Sequence, residues 1–134
     1  MSALGHKNNL ARNLKRMGKF FEKEYEFSPK TWILPQDAND FKYQFTKKKA
    51  KTFIVKPVAA CQGKGIFLTR DYENINMKPG EQYVVQRYMH KPYLIDGLKF
   101  DMRIYCLVYG VDPLRVFVFR EGLARFATDE YVGP

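Results

Sequence analysis

Up to about residue 51 the apolar positions recur every three or four residues, and from residue 52 they fall in short runs or alternate with period two. The segment "NNLARNLKRMGKFFEKEY" sets Leu10, Leu14, Met17 and Phe21 at helical spacing, with Arg12, Lys15, Arg16, Lys19 and Lys23 largely elsewhere on the helix surface and Asn8 or Asn9 placed to cap it. "TWILP" reads as a short strand stopped by Pro35. Asp37 then stands where it can cap a second helix through "DFKYQF", on which Phe41 and Phe45 share a face, and "KKKAK" at 47–51 reads as that helix's solvated end and exit turn. Strands are expected at "TFIVKP", "GIFLTR" and "EQYVVQRYM", the last bounded by Pro79-Gly80 and Pro92. Two longer strands, "KFDMRIYCLVYG" and "LRVFVFREG", are joined by the turn signal "GVDP". Helices first and then a mainly antiparallel sheet, with no repeat or low-complexity linker, predict an α+β fold.

The chain's 134 residues suffice for one modest domain, and a 46% hydrophobic, 16% aromatic composition argues against disorder. The net charge of +9 is uneven: residues 1–51 carry 12 Lys/Arg against 5 Asp/Glu, residues 52–134 carry 11 against 9. The basic excess therefore sits in the N-terminal part, either as a solvated helix surface or as a docking face for an acidic partner. Nucleic acid, prompted by the charge and nine tyrosines, ranks low because the aromatics alternate toward an expected core and no stacking motif appears. No apolar stretch approaches the roughly 20 residues of a membrane span, and the N-terminus does not resemble a secretory signal, so no membrane partner and a soluble, cytoplasmic location are expected. Cys61 and Cys106 lack CxxC spacing or a nearby histidine pair and are expected as free thiols; His6 and His90 have no evident partner.

Candidate chemistry lies in three places. Along "KFDMRIYCLVY", Phe100, Met102, Ile104, Cys106 and Val108 leave one face while Lys99, Asp101 and Arg103 leave the other. That polar strip is either an internal ladder, with Asp101 bridging its two cations, or a seat for a phosphate-bearing ligand, since lysine offers a point charge and arginine a fork. Lys56 ends the "TFIVK" strand, where it shares a face with Ile54 and calls for an anion if buried. The loop Gln62-Gly63-Lys64-Gly65 after it brings backbone N–H groups and another lysine without bulk. It lacks the Ser/Thr and the following helix of a phosphate-binding P-loop, and by itself reads first as a hairpin with glycines at its turn.

Taken together, "NLKRM", "TWILP", "KPVAACQGKGI", "QRYMHKPYLIDGLKFDMRIY" and "DPLRVFVFREGLARFAT" resemble, in order and spacing, the tubulin-tyrosine-ligase-like family. The resemblance runs from about Leu10 to the end of the chain, and "PYLIDGLKFDMR" and "EGLARFAT" look most like its polyglutamylase branch. It implies a partial ATP-grasp fold over residues 1–134, with a basic helical part (1–51) and a nucleotide-binding sheet part (52–134).

The same resemblance implies residue roles. Lys56 would hold ATP phosphate and Gln62 to Gly65 would form a mobile lid, with Gln62 also near the acceptor. Gln86, Arg87, Tyr88 and Met89 would grip adenine, while Lys99, Phe100 and Asp101 would contact the nucleotide, Asp101 at the ribose. Arg103 would sit near the phosphates and Arg125 would bind the reacting carboxylate or acyl phosphate, so Lys56, Arg103 and Arg125 are the catalytic candidates. The implied reaction activates a carboxylate by ATP and joins it to the amine of free L-glutamate, with tubulin or another acidic protein tail as partner on the microtubule cytoskeleton, including cilium or basal body. A tubulin glycylase and a non-catalytic tail-binding module are the alternatives. The family's magnesium ligands, an acidic pair and an asparagine, come from a strand in the C-terminal half of the fold. No metal ligand is therefore expected in this chain; Asp129 and Glu130 read as a solvated turn, and the chain as a fragment or truncated form.

Overall fold

The computed structural model describes residues 2–46 and 51–134, so most of the exit turn expected at 47–51 lies outside the described residues. Residues up to Met89 form one compact unit and His90–Pro134 a second. In the first, helices α1 (Ser2–Gly5), α2 (Lys7–Met17) and α3 (Ala38–Tyr43) accompany strands β1 (Thr31–Leu34), β2 (Phe53–Pro57), β3 (Phe67–Thr69) and β4 (Tyr83–Arg87). The strands make one antiparallel sheet in the order β1-β4-β2-β3.

Alternation decides what each face of that sheet does. Trp32, Leu34, Phe53, Val55, Tyr83 and Val85 are buried together with Phe41 of α3 and Ile75. The rings interlock edge to face: Phe53 meets Phe41 at 5.0 Å and Trp32 at 5.7 Å between centroids, and Phe45 closes on Phe41 at 5.1 Å. On the opposite face Ile33 and Val84 bury against Ala11, the one buried residue of α2. That small side chain lets the helix lie close on the sheet.

Three details differ from the sequence expectation. Helix α2 stops at Met17, and Gly18, whose N–H bonds the Leu14 carbonyl, begins a run of turns that leaves Phe21 about half exposed; glycine disfavours helix propagation there. His6, not Asn8 or Asn9, holds the N-cap position, without a side-chain cap bond. Asn8 instead donates to Gln82 Oε1 at 2.9 Å. Asp37 does precede α3, but its carboxylate accepts from the Ile33 amide and from Lys15 Nζ, at 2.8 and 2.9 Å, and so ties α2 to the β1–α3 corner instead of capping α3.

The second unit is an antiparallel sheet of β5 (Leu94–Ile95), β6 (Leu98–Val111) and β7 (Leu114–Glu130). Strands β6 and β7 turn at Asp112-Pro113, as "GVDP" predicts, and their register shifts at three points. Two of these shifts insert extra residues into β7, so strict alternation cannot persist along the hairpin. Gly122 lies opposite Ile104; a β-carbon there would sit 2.6 Å from the Arg103 carbonyl oxygen, a distance only glycine permits. The aromatics expected to alternate into a core do not: Tyr109, Phe117 and Phe119 are each more than half exposed. A long two-stranded ribbon with a two-residue third strand has no second layer within this unit to cover it. Asp129 and Glu130 belong to the end of β7, not to a turn.

Phe53→Ala should lower the unfolding free energy of the first unit by about 3–5 kcal/mol, because the cavity left between Trp32, Phe41 and Phe45 cannot collapse around interlocked rings. Urea unfolding followed by Trp32 fluorescence measures it. Phe20→Ala, at a side chain 74% exposed, should stay within about 0.5 kcal/mol of the unsubstituted protein.

Candidate nucleotide site

The polar end of the α2-facing sheet surface is set by register. Thr31 and Ile54 both lie directly opposite Gln86 on β4, and Lys56 stands two residues beyond Ile54, so all four project to one side. Lys56 Nζ donates to Gln86 Oε1 at 2.6 Å, Gln86 Nε2 donates to Thr31 Oγ1 at 3.1 Å, and Thr31 donates to the Pro29 carbonyl at 2.6 Å. Burial, and then the neighbouring charge of Lys7, lower the proton affinity of Lys56 from its ordinary value.

Lys7, the first residue of α2, donates to the carbonyls of Pro57 (3.1 Å) and Ala60, pinning the chain as it leaves β2 for the glycine loop. The loop itself is exposed and turns through positive φ at Gln62 (54°), Gly63 (76°) and Gly65 (68°). Gly65 also faces Pro57 Cγ at 3.2 Å from where a β-carbon would stand. Strand β3 follows, so the hairpin and the phosphate-loop readings share one backbone. After Gln86, Arg87 places its guanidinium over Phe53 at 6.0 Å and Tyr88 bonds the Thr52 carbonyl through its amide, while Met89 is exposed.

In the second unit Lys99, Phe100, Asp101 and Arg125 line one shallow cavity of about 400 Å³, with Phe126 and Ala127. Asp101 and Arg125 are register partners across β6 and β7 and form a two-pronged ion pair, Nε to Oδ1 at 2.8 Å and Nη2 to Oδ2 at 2.7 Å. Hydrogen bonds from Arg125 first, aided by the Arg125 and Arg103 charges, hold the Asp101 carboxyl below its usual range; the same bonds raise Arg125. The internal ladder along β6 is thus not the arrangement adopted: Asp101 reaches across the hairpin, and Lys99 Nζ lies over the Tyr131 ring at 5.5 Å. Phe100 stacks on Phe126 at 5.4 Å. Arg103 instead lines a separate hollow of about 320 Å³ with Gly122 and Leu123.

Sequence reasoning missed Lys7 and Thr31. Their contacts span 50 and 55 residues of chain; helix α2 delivers Lys7, and the β1–β4 register, not anything local to "TWILP", sets Thr31 opposite Gln86. Among the described residues no three His, Cys, Asp or Glu side chains gather to hold a metal ion. The cysteines are free and exposed.

The geometry can be set beside known proteins. The family model for the tubulin-tyrosine ligase family matches residues 1–133. The chain is 58% identical over 133 residues to a probable beta-tubulin polyglutamylase of Tetrahymena thermophila, covering 98% of this chain and 11% of that protein. It is 53% identical over 134 residues to the human tubulin polyglutamylase TTLL6 and 52% identical to mouse tubulin polyglutamylase TTLL13, in each case over all of this chain and 15% and 16% of the relative. It thus spans between a tenth and a sixth of these relatives' lengths. With the match running almost end to end, the chain belongs to the tubulin-tyrosine ligase family.

Proposed function

We propose that the chain carries part of the nucleotide-binding lobe of an ATP-dependent protein polyglutamylase, which adds glutamate to glutamate side chains in acidic tubulin tails. The observation that supports this most directly is the half-buried Lys56, held by a neutral amide oxygen instead of a carboxylate, beside a glycine loop in a chain more than half identical to named polyglutamylases. A cytoskeletal setting follows from the same reading. Among the described residues no helix is long and apolar enough to cross a membrane.

When bound, ATP would supply the phosphoryl group that activates a carboxylate. The chain's own residues would hold the reactants. Lys56 and Lys64 offer ammonium groups to phosphate oxygens, and the backbone from Gln62 to Gly65 permits close approach. Gln86 to Met89 would carry the adenine contacts. In the second unit Lys99 and Phe100 would contact nucleotide and Asp101 the ribose, while Arg103 and Arg125 offer guanidinium groups for phosphate and carboxylate. The Asp101 pair presents Arg125 in a fixed plane, which a substrate carboxylate could take over with the same fork geometry. The basic surface of α2 would raise the local concentration of a poly-acidic tail.

The test uses a longer chain that contains residues 1–134, of the length of the relatives, with labelled glutamate and tubulin-tail peptides. Lys56→Ala and Arg125→Ala should each reduce transfer at least about 100-fold, the scale of losing one charge-stabilising donor. Transfer at the unsubstituted rate in either variant rejects that residue's role. Tail binding without nucleotide binding would favour a non-catalytic module, and glycine in place of glutamate in the product would indicate a glycylase.

A second measurement addresses the basic surface. Arg12→Glu with Arg16→Glu should slow association with a glutamate-rich tail peptide about tenfold at low salt and much less at 0.5 M salt, leaving ATP affinity unchanged. Equal effects at both salt concentrations would remove the steering role.

A further inference from the structure

We infer that Thr31 is a positioning residue: its hydroxyl fixes which way round the Gln86 amide sits, so that the oxygen and not the nitrogen meets Lys56. A threonine hydroxyl has one hydrogen, and Thr31 gives it to the Pro29 carbonyl at 2.6 Å. Its oxygen can then only accept, and Gln86 Nε2 supplies the donor at 3.1 Å. The amide oxygen is thereby turned the other way, where Lys56 Nζ meets it at 2.6 Å. Turning the amide over would set its N–H groups against an ammonium and its oxygen against a hydroxyl oxygen whose hydrogen is already committed. Both bonds would fail together in a half-buried place. The backbone keeps the chain of bonds in line: Thr31 and Gln86 are register partners, and the Arg87 amide bonds the Lys30 carbonyl at 2.9 Å beside them.

The consequence for ligand choice rests on the reading above, in which Gln86 meets adenine. After its two internal bonds the amide retains one acceptor position on Oε1 and one N–H on Nε2. An amide of fixed polarity can match the donor–acceptor order of adenine's amino edge but not the reversed order of guanine; one free to turn can match either. Thr31 then becomes a specificity-determining residue for the purine, although it need not touch it.

The test compares Thr31→Val, which keeps the shape and removes the hydroxyl, with Thr31→Ser, which keeps the hydroxyl, in the full chain; Trp32 fluorescence verifies folding. Two readouts are taken. The first is the titration of the Lys56 ε-methylene carbon by NMR, which needs no nucleotide. Thr31→Val should lower its midpoint further, because the charged form loses its fixed acceptor, and Thr31→Ser should not. The second is the ratio of ATP to GTP affinity, expected to fall about fivefold in Thr31→Val and to recover in Thr31→Ser, the scale of one neutral hydrogen bond. An unmoved Lys56 titration in Thr31→Val, or an equal shift in Thr31→Ser, overturns the positioning role. A moved titration with an unchanged ratio keeps that role and removes the purine selection. If Gln86→Leu binds ATP as tightly as the unsubstituted chain, the adenine reading of Gln86 fails instead, and the titration alone decides Thr31.

Discussion

The register of β2 against β4 is the constraint from which the rest follows. On one face Val55 and Val85 bury beside Phe53, whose ring interlocks with Trp32 and Phe41; on the other Lys56 and Gln86 meet at 2.6 Å. A slip of one residue would exchange the faces, placing an ammonium in the aromatic core and Phe53 on the surface. Each buried ring is worth on the order of 2–3 kcal/mol of transfer energy, and an unpaired buried cation costs more than any of them returns. The core therefore selects the register, and the register assembles the candidate site. The Lys56–Gln86 bond adds little to stability by comparison; it is where the stability of the other face delivers two polar groups.

Much of this was legible because alternation is local. The runs "TFIVKP", "EQYVVQRYM" and "KFDMRIYCLVYG" announce their strands, and the faces of Ile54 and Lys56 follow from counting by two. The glycine loop was legible as a turn for the same reason, since positive φ is what glycine supplies. What could not be read were partners fixed by register across long separations. Nothing in "KFDMR" says that Asp101 lies opposite Arg125 and not between Lys99 and Arg103; that depends on bulges that insert residues into β7. Nor does "PKTW" say that Thr31 reaches Gln86. The fate of Asp37 failed for a related reason: a helix-capping position predicts where the residue stands, but two competing donors, the Ile33 amide and Lys15, decide where its carboxylate points.

Gly122 shows how a backbone constraint can stand in for a side-chain motif. It allows β7 to approach the Arg103 carbonyl at a distance no β-carbon permits. The closely paired stretch around it, from Leu123 to Phe126 opposite Phe100 to Arg103, holds Arg125 against Asp101 and Phe126 against Phe100. In "REGLAR" the glycine and the arginine thus serve one local geometry, the first by its absence of bulk and the second by its fork.

The cations of the two units are compensated differently, and this bears on how each could act. Among the described residues no carboxylate pairs with Lys7 or Lys56; Lys7 is satisfied by backbone carbonyls and Lys56 by an amide oxygen. Such partners fill hydrogen-bonding sites without cancelling charge, so two ammonium groups remain close enough for Lys7 to lower the proton affinity of Lys56. An arriving anion would relieve that repulsion as well as form its own bonds, and would return Lys56 toward its ordinary proton affinity. Arg125 is already neutralised by Asp101, and an arriving carboxylate must displace an existing partner of the same chemistry. Because that pair is exposed to water, the exchange costs little. The first arrangement favours holding an anion and the second favours trading one, which is the distinction that the proposed roles of Lys56 and Arg125 require.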